Sequence, residues 1–502
     1  MKQKLIPNQF LLIITMTIAS TLHAPLPTSR DADFSESLSP CKIISINLLS
    51  QITDKLCDIL DIKQYESTFK GGLGVCNLQG PNHDTPDTNC WDHPLHITDS
   101  DPIFEGVNII RIKENIIFKP NANAACPVTT QQAAIIVEKD DMTIDLSGFT
   151  INMDGRNLTS NPSTCAADTG CTDPGCVPAV HGIHILPGVK NTRIISTQSE
   201  NTHTRGSIKK FTGFGIYIEG NTGVGERVEE VFINNIRIYN CYNGIYAQNA
   251  SNINITRSEA NNNCNYSTVY GMQFVNVSDL YIVGSQASSN RSCNTIYGIY
   301  MQDTCNSFVE DTETSKNVST TTSNTGSVYG MYVTATTATT SFANHIKNCK
   351  VSGNMCANTA ASECTGIYLG GQSAHNIIDS CTVIANNFTD ALSPPNAYGI
   401  RLDSSNFNEI TSNKVGFNAN NAPTGSTNPG ISDTDTTGST SLFTSNVSFF
   451  NGYQGSNNYD ILFRKNTGGT ESFKATIIYA ANLEGVTTNT PSLGNLDVRK
   501  AP

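Results

Sequence analysis

The sequence has little of what identifies several common classes of protein. Only 15% of its 502 residues are charged, and the net charge is −12. A nucleic-acid partner is therefore disfavoured, because such proteins need a basic face. There is one Trp, and none of the 16 Cys has the C-x-x-C spacing of zinc ribbons or thioredoxin-type sites. Outside the N-terminus, no apolar run is long enough to span a bilayer as a helix.

The N-terminus has the pattern of a signal peptide. Lys2 and Lys4 precede an apolar run over residues 10–18, and Leu22-His23-Ala24 matches a cleavage site. We therefore predict a signal peptide over residues 1–24 and a secreted, periplasmic or cell-surface protein without a membrane span after cleavage. An uncleaved anchor is the alternative.

The next part of the chain differs from the rest. Apolar residues recur at helical spacing from Ser39 to about Ile62, which predicts a short helix. Residues 64–100 are rich in loop-forming residues. We predict that residues 25–103, with this helix and their cysteines, form an N-terminal cap.

From about Phe104 onward the sequence repeats. The spacing of the motif glycines ranges from 27 residues (Gly244 to Gly271) to 36 residues (Gly330 to Gly366). Each copy is Gly, then Ile or Met, a variable residue, and usually an apolar one. The copies begin at Gly182, Gly215, Gly244, Gly271, Gly298, Gly330, Gly366 and Gly399. Regular short strands in such a repeat predict a solenoid.

Two further columns keep the same register. The first consists of Asn240, Asn263, Asn290, Asn317, Asn354, Asn386, Asn418 and Asn451. The second, five residues earlier in each copy, consists of Asn235, Ser258, Ser285, Thr312, Cys349, Cys381, Asn413 and Asn446. We predict that the Asn side chains stack inward at a bend, where each amide bonds the next.

One copy carries a family resemblance. Gly399-Ile400-Arg401-Leu402-Asp403-Ser404-Ser405-Asn406, with Asn413 and Asn418, resembles a rung of the parallel β-helix repeats of pectate-lyase-like and NosD-like proteins. Residues 143–151 resemble the first-rung sequence of that superfamily. The resemblance covers about residues 104–455 and is specific for fold and weak for activity. It implies an all-β, right-handed parallel β-helix of about ten coils over residues 104–465, with a C-terminal cap or tail over residues 466–502.

The cysteines allow two interpretations. Their even number in an exported chain indicates disulfides. The columns favour Cys241 with Cys264 and Cys349 with Cys381, and one loop favours Cys356 with Cys364. Alternatively, the column cysteines are free thiols, buried as small hydrophobes.

The variable position of the repeat is the candidate site. Alternation sends the Ile inward and the variable residue outward. The predicted substrate-binding residues are Tyr217, Tyr246, Tyr300, Tyr332, Tyr368, Arg401 and Asp403. A row of phenols suits sugar rings, but a stabilising stack beneath projecting loops is the favoured explanation of the tyrosines themselves.

Residues for catalysis are harder to find. Glu219 and Asp403 are the best carboxylates on the Tyr face, but they lie too many coils apart to cooperate. The paired-Asp and Gly-His-Gly motifs of polygalacturonase-type hydrolases are absent. Trp91-Asp92-His93 resembles part of a pectate-lyase motif but lies before the solenoid.

No metal site or cofactor is predicted. His93 and His96, near His83, Asp84 and Asp92, are a candidate cation site, but a loop of scattered polar residues is the favoured interpretation. His181 and His184 flank a strand start and are not expected to converge.

The leading prediction is a β-helix that binds a polysaccharide or cell-surface glycan along its Tyr row, without clear catalytic machinery. A polysaccharide lyase or glycoside hydrolase acting on acidic glycans is one alternative. An adhesin or structural rod is another.

Overall fold

The computed structural model describes residues 94–98, 108–112, 115–120, 132–154, 179–197, 205–222, 226–320, 326–336, 341–356, 363–388, 396–405, 407–418, 430–433 and 441–449, and the backbone of further strands from Glu66 to Lys500. The chain divides into two units, residues 1–64 and 65–502. The predicted signal peptide and helix lie in the first unit, outside the described residues. In the described residues every regular element is a strand.

The strands form four series, each of which runs along the body of the second unit. The first series is β3 (Leu95–Ile97), β6 (Gln132–Val137), β9 (Val180–Ile185), β12 (Phe214–Glu219), β15 (Asn243–Thr256), β18 (Val269–Val283), β20 (Ile296–Gln302), β24 (Val328–Thr334), β28 (Glu363–Gly370), β32 (Asn396–Asp403), β35 (Ile431–Asp433) and β38 (Ile461–Phe463).

The second series is β1 (Glu66–Phe69), β4 (Ile109–Ile112), β7 (Thr143–Asp145), β10 (Lys190–Ile195), β13 (Val228–Asn234), the second halves of β15 and β18, β21 (Phe308–Glu310), β25 (His345–Lys347), β29 (Ile377–Asp379), β33 (Glu409–Thr411), β36 (Leu442–Thr444) and β39 (Ser472–Lys474). Because β15 and β18 continue across the bend, they join the first two series into one sheet.

The other sides of the coils carry the third and fourth series, the fourth on five coils only in the described part of the chain. The third series is β2 (Cys90–Trp91), β5 (Ile116–Phe118), β8 (Thr150–Met153), β11 (Gly206–Lys209), β14 (Ile236–Tyr239), β16 (Glu259–Asn261), β22 (Glu313–Ser315), β26 (Lys350–Ser352), β30 (Thr382–Ile384), β34 (Lys414–Gly416), β37 (Val447–Phe449), β40 (Thr476–Ala480) and β41 (Leu496–Lys500). The fourth is β17 (Cys264–Asn265), β19 (Arg291–Ser292), β23 (Val318–Ser319), β27 (Met355–Cys356) and β31 (Asn387–Phe388).

Every pairing between successive coils is parallel and in register. Ile245 pairs with Met272, Met272 with Ile299, and Ile299 with Met331. Equivalent residues of successive copies therefore stack along the body, so the described chain is a parallel β-helix. Parallel pairing occurs as early as β1 with β4 and as late as β40 with β41, on both sides of the predicted limits at 104 and 465.

The motif glycines are explained by close contact between coils. A Cβ on Gly330 would lie 2.6 Å from the carbonyl oxygen of Gly366 and 2.3 Å from Cγ1 of Val351. Real Cβ atoms do not approach other atoms so closely, so the repeat needs glycine here. The inward residues that follow, such as Ile299 and Ile367, are almost wholly buried and form a continuous core along the axis.

The inward Asn ladder is confirmed from Asn263 to Asn418. From Asn290 onward the side-chain Nδ2 donates to the next Oδ1, over 3.0 Å from Asn290 to Asn317 and 2.8 Å from Asn354 to Asn386. At Asn263 the backbone N–H makes the step instead and donates to Oδ1 of Asn290 at 3.0 Å. The backbone N–H of Asn386 also donates to Oδ1 of Asn418 at 3.0 Å. The ladder therefore satisfies polar groups that the bend buries.

Two members of the predicted columns are misplaced by one residue. Cys241, not Asn240, aligns with Asn263, and Ile236, not Asn235, aligns with Ser258. Asn240 and Asn235 instead have positive φ values of 55° and 60° at the bends, a conformation that Asn tolerates. Asn451 lies outside the described residues.

A third buried Asn ladder was not predicted. Nδ2 of Asn344 donates to Oδ1 of Asn376 at 3.0 Å, and Nδ2 of Asn376 donates to Oδ1 of Asn408 at 3.1 Å. This ladder lies beside the second series, at a bend that the motif columns do not include.

The predicted disulfide pairs are wrong. Cys241, Cys349, Cys356, Cys364 and Cys381 are buried free thiols, whereas Cys264 and Cys293 are disulfide-bonded. For Cys349 and Cys381 the reason is local hydrogen bonding, because their thiols replace a hydroxyl or amide in the second column. Sγ of Cys349 lies 3.2 Å from the carbonyl oxygen of Lys347, and Sγ of Cys381 lies 3.3 Å from that of Asp379. The alternative of buried thiols holds for these residues.

Candidate functional site

The Tyr row predicted from the repeat exists and is a stack of rings. We call Tyr217, Tyr246, Tyr300, Tyr332 and Tyr368 the Tyr face. Each residue occupies the outward position of the first series. The rings of Tyr300 and Tyr332 are 5.4 Å apart and 5° from parallel, and those of Tyr332 and Tyr368 are 4.5 Å apart and 7° from parallel. The tyrosines therefore stabilise the coils against each other, as the structural interpretation predicted.

A second row of tyrosines lies directly beside the first and was missed in the sequence. Tyr270, Tyr297 and Tyr329 each precede the motif glycine and stack 5.2 Å apart. Tyr297 meets Tyr300 edge to face, with ring centroids 4.9 Å apart. Because Gly and Ile both point inward, the residues on either side of this pair point outward together. Tyr before Gly in successive copies was the signal that could have revealed this row.

The Tyr face is interrupted at Gln273. Gln273 pairs with Tyr246 on one side and with Tyr300 on the other. Since coils are about 4.8 Å apart, the rings of Tyr246 and Tyr300 are separated by about 9.6 Å. On the side that faces Gln273 neither ring is covered by a stacked ring of the row, but Tyr300 meets the ring of Tyr270 there edge to face, with centroids 5.5 Å apart. We call this place the Gln273 gap.

The hydroxyl groups of the two flanking rings are fixed by neighbouring amides. The Tyr246 hydroxyl donates to Oε1 of Gln248 at 2.6 Å, and the Tyr300 hydroxyl donates to Oε1 of Gln302 at 2.7 Å. Burial raises the pKa of both phenols above its ordinary range. They are therefore neutral hydrogen-bonding groups at physiological pH, and neither serves as an anionic base.

One end of the Tyr face carries charge. The guanidinium of Arg401 lies over the rings of Tyr368 and Tyr398, 5.5 and 4.8 Å from their centroids. Its Nη1 donates to Oε2 of Glu363 at 2.6 Å, and its Nη2 donates to Oδ2 of Asp403 at 2.7 Å. Arg401 and Asp403 were predicted site residues, but Glu363 was missed because it lies outside the motif. The carboxylate close to Asp403 is thus Glu363, and not the distant Glu219.

The other end carries a buried cluster of histidines. His181 and His184 do converge, contrary to expectation, with ring centroids 5.8 Å apart. The ring of His181 stacks on Tyr217 at 4.4 Å, and Nε2 of His184 lies 3.0 Å from Oε2 of Glu219. Burial, and then the neighbouring His184, lower the pKa of His181 to about 3. Tyr217 is only 8% exposed, so this end of the row is closed.

The histidines near the start of the solenoid do not form a metal site in the described residues. His96, the one described residue of the proposed loop histidines, has Nδ1 2.7 Å from Oε1 of Glu138. Among the described residues no three His, Cys, Asp or Glu are grouped as a metal site would require. In the same part of the chain no helix has the length and hydropathy to cross a membrane.

Comparisons with known proteins agree with the geometry. The family model described as "Right handed beta helix region" matches residues 214–415. No curated protein matches the sequence.

Several solved structures are similar in fold. The periplasmic alginate epimerase AlgG has 12% identity and a TM-score of 0.44, over 74% of this chain and 76% of its own. The A-module of the mannuronan C-5 epimerase AlgE6 of Azotobacter vinelandii has 12% identity and a TM-score of 0.45, over 78% and 88%. The Dettilon tailspike protein has 13% identity and a TM-score of 0.40, over 74% and 60%. The parallel register and the match over residues 214–415 show that the chain has the fold of a right-handed parallel β-helix, as its repeats indicated.

Proposed function

We propose that this protein binds a glycan along the Tyr face, and that the Gln273 gap holds one sugar ring between Tyr246 and Tyr300. The observation that carries the proposal is the interruption of an otherwise stacked row. Stacked rings present mainly their edges, whereas the two rings beside the gap each have one side turned toward Gln273. Aromatic faces and nearby amides are the usual partners of sugar C–H and hydroxyl groups.

The size of the gap supports a sugar ring. Two ring planes about 9.6 Å apart leave room for one saturated ring in van der Waals contact with both. Gln273 is the residue between the two tyrosines in the register, and Gln248 and Gln302 lie two positions further along the flanking coils. These amides offer both donors and acceptors to hydroxyl groups.

The charged end extends the same surface. Arg401, Glu363 and Asp403 are each partly exposed, with 19%, 16% and 32% of the side chain accessible. An extended glycan that occupies the gap would reach this end along Tyr332 and Tyr368. The guanidinium could then receive a hydroxyl or carboxylate of a further sugar unit.

The test is to fill the gap. In Gln273→Tyr the new ring joins the stack, so we expect an unchanged fold and loss of glycan binding by at least tenfold on an array of neutral and acidic oligosaccharides. Tyr300→Ala should weaken binding similarly. Phe407→Ala removes a 56% exposed ring elsewhere and is the matched control. Equal binding by the wild type and Gln273→Tyr would sink the proposal, as would an array without any bound glycan.

A glycoside hydrolase is the second candidate, and the shared contact of Glu363 and Asp403 with Arg401 favours it. Hydrolysis by paired carboxylates needs one of them protonated as the acid. Here both carboxylates accept hydrogen bonds from one guanidinium, that of Arg401, and are already engaged in ion pairs, so binding remains the better proposal. New reducing ends that disappear in Glu363→Gln would establish the hydrolase instead.

Export is part of the proposal, because a glycan partner of this kind lies outside the cytoplasm. We expect a signal peptidase to cleave after Ala24. Intact mass measurement of the protein recovered from the medium or the periplasm would show a chain beginning at Pro25, and retention of residues 1–24 would contradict this.

A further inference from the structure

A groove lies on a different side of the coil from the Tyr face. It is lined by strands β10, β13 and β15 of the second series and has a volume of about 330 Å³. Its lining residues are Asn191, Arg193, Glu230, Val231, Phe232, Asn252 and Asn254. We call it the second groove.

The register gives the second groove a defined floor. Arg193 pairs with Phe232, and Phe232 pairs with Asn254. The three outward side chains therefore lie side by side on successive coils, over a length of about 9.6 Å. This length suits one sugar ring, and the volume falls within the range of small-ligand sites.

A polar atom in the groove lacks a partner. Oδ1 of Asn254 is buried and receives no hydrogen bond in the described part of the chain. Buried polar atoms in folded proteins are almost always hydrogen-bonded. The Asn254 carbonyl is therefore available to accept a hydrogen bond from a hydroxyl group.

The charges around the groove are balanced. Arg193 and Glu230 are both exposed. The nearby residues Lys190 and Glu229 form an ion pair with each other, with Nζ and Oε2 3.1 Å apart. One guanidinium and one carboxylate offer donors and acceptors without net charge. The carboxylate of an acidic sugar would be attracted by Arg193 but repelled by Glu230. Such a sugar should therefore bind more weakly than a neutral sugar whose hydroxyl groups hydrogen-bond to both residues.

We propose that the second groove binds one pyranose unit of a neutral glycan. The apolar face of the ring packs on Phe232, one hydroxyl donates to Oδ1 of Asn254, and other hydroxyls contact Arg193 and Glu230. This site is independent of the Tyr face, so either proposal can fail alone.

The experiment uses the full chain and methyl glycosides of glucose, galactose, mannose and galacturonic acid. Saturation-transfer NMR should detect a neutral glycoside, and titration should give at least a tenfold weaker affinity in Phe232→Ala and in Asn254→Leu. Phe308 lies further along the same outward column, so Phe308→Ala is the matched control and should bind as the wild type does. Gln273→Tyr should also retain this binding, which separates the second groove from the Tyr face.

Four results of the binding experiment would overturn the proposal. The first is that no neutral glycoside binds, and the second is that binding is unchanged in both groove variants. The third is that Phe308→Ala loses binding to the same extent, and the fourth is that the galacturonic acid glycoside is preferred. Asn254-Ile255-Thr256 is also a glycosylation sequon. Intact mass of the natural protein that shows a covalent glycan on Asn254 would overturn it as well, because the groove would then hold the protein's own modification. Circular dichroism and melting temperature verify that each variant is folded.

Discussion

Asn386 accepts two hydrogen bonds from Asn354, because the backbone N–H and the side-chain Nδ2 of Asn354 both donate to its Oδ1, at 3.3 and 2.8 Å. Its own Nδ2 donates onward to Oδ1 of Asn418 at 2.9 Å and to the carbonyl of Val351 at 3.3 Å. A single buried amide thus connects three coils.

Asn386→Leu keeps the volume of the side chain and removes these bonds. We expect a loss of about 3–5 kcal/mol in the free energy of unfolding, because the donors of Asn354 remain buried without partners. Urea denaturation followed by circular dichroism measures it. Thr411→Ala, at a half-buried outward position, should change stability by less than about 0.5 kcal/mol. If the two variants changed the free energy of unfolding equally, the ladder would contribute no more to stability than an outward side chain does.

Stability should decrease in acid because of His181. Its pKa, lowered to about 3 in the folded chain, is near 6.5 when unfolded, so the unfolded state binds more protons between these values. The free energy of unfolding should be unaffected by His181 above pH 6.5, and should fall by up to about 1.4 kcal/mol per pH unit as the pH drops toward 3.

The measurement is the slope of unfolding free energy against pH, in the wild type and in His181→Gln. The variant should have the shallower slope between pH 6.5 and 3. His375→Gln, which removes an exposed imidazole, serves as control and should keep the wild-type slope. A wild-type slope in His181→Gln would mean that other groups cause the acid sensitivity.

Arg401 should stabilise the charged end of the Tyr face. In Arg401→Met the carboxylates of Glu363 and Asp403 lose their shared partner in a partly buried place, and we expect a loss of about 2 kcal/mol in thermal or urea unfolding. Arg401→Lys retains one charge without the fork that reaches both carboxylates, so it should fall between the wild type and Arg401→Met. If the lysine variant is as unstable as the methionine variant, the charge itself is unimportant.

The buried thiols should resist alkylation. Burial raises the pKa of Cys241 to about 12, and thiolate is the form that reacts. With iodoacetamide at pH 8 we expect Cys241 and Cys364 to be labelled at least a hundredfold more slowly in the folded protein than in urea. Cys305 is only partly buried and should react earlier. Peptide mass spectrometry distinguishes the three, and rapid labelling of Cys241 in the folded chain would contradict its placement.

Much of this fold could be predicted because a solenoid repeats its local chemistry. The Gly-Ile-x-Leu copies fix which residue points inward, and parallel pairing carries each position to its equivalent in the next coil. The same argument predicted the Asn ladder and the Tyr row. It failed by one residue at Asn235 and Asn240, because the first copies of the column have another residue at the inward position and Asn at the positive-φ bend.

The candidate site was only partly predictable. Tyr246, Tyr300 and Arg401 come from the motif itself, but Glu363 lies before a motif and reaches Arg401 only because two coils are adjacent. The second groove carries no sequence pattern, since Arg193, Phe232 and Asn254 are three different residue types.

The sequence by itself determined the path of each coil. Glycine is required where the backbones of neighbouring coils nearly touch, and the apolar, Asn and Tyr positions recur in the same register in successive copies. The tertiary structure decided which side chains meet between coils. These contacts include the Gln273 gap, the ion pairs of Arg401 with Glu363 and Asp403, and the packing of His181 against His184. They also include the hydrogen bonds of the free thiols in the second column. The physical reason is that contacts between coils depend on loops of unequal length and on side-chain rotamers, neither of which a repeat specifies.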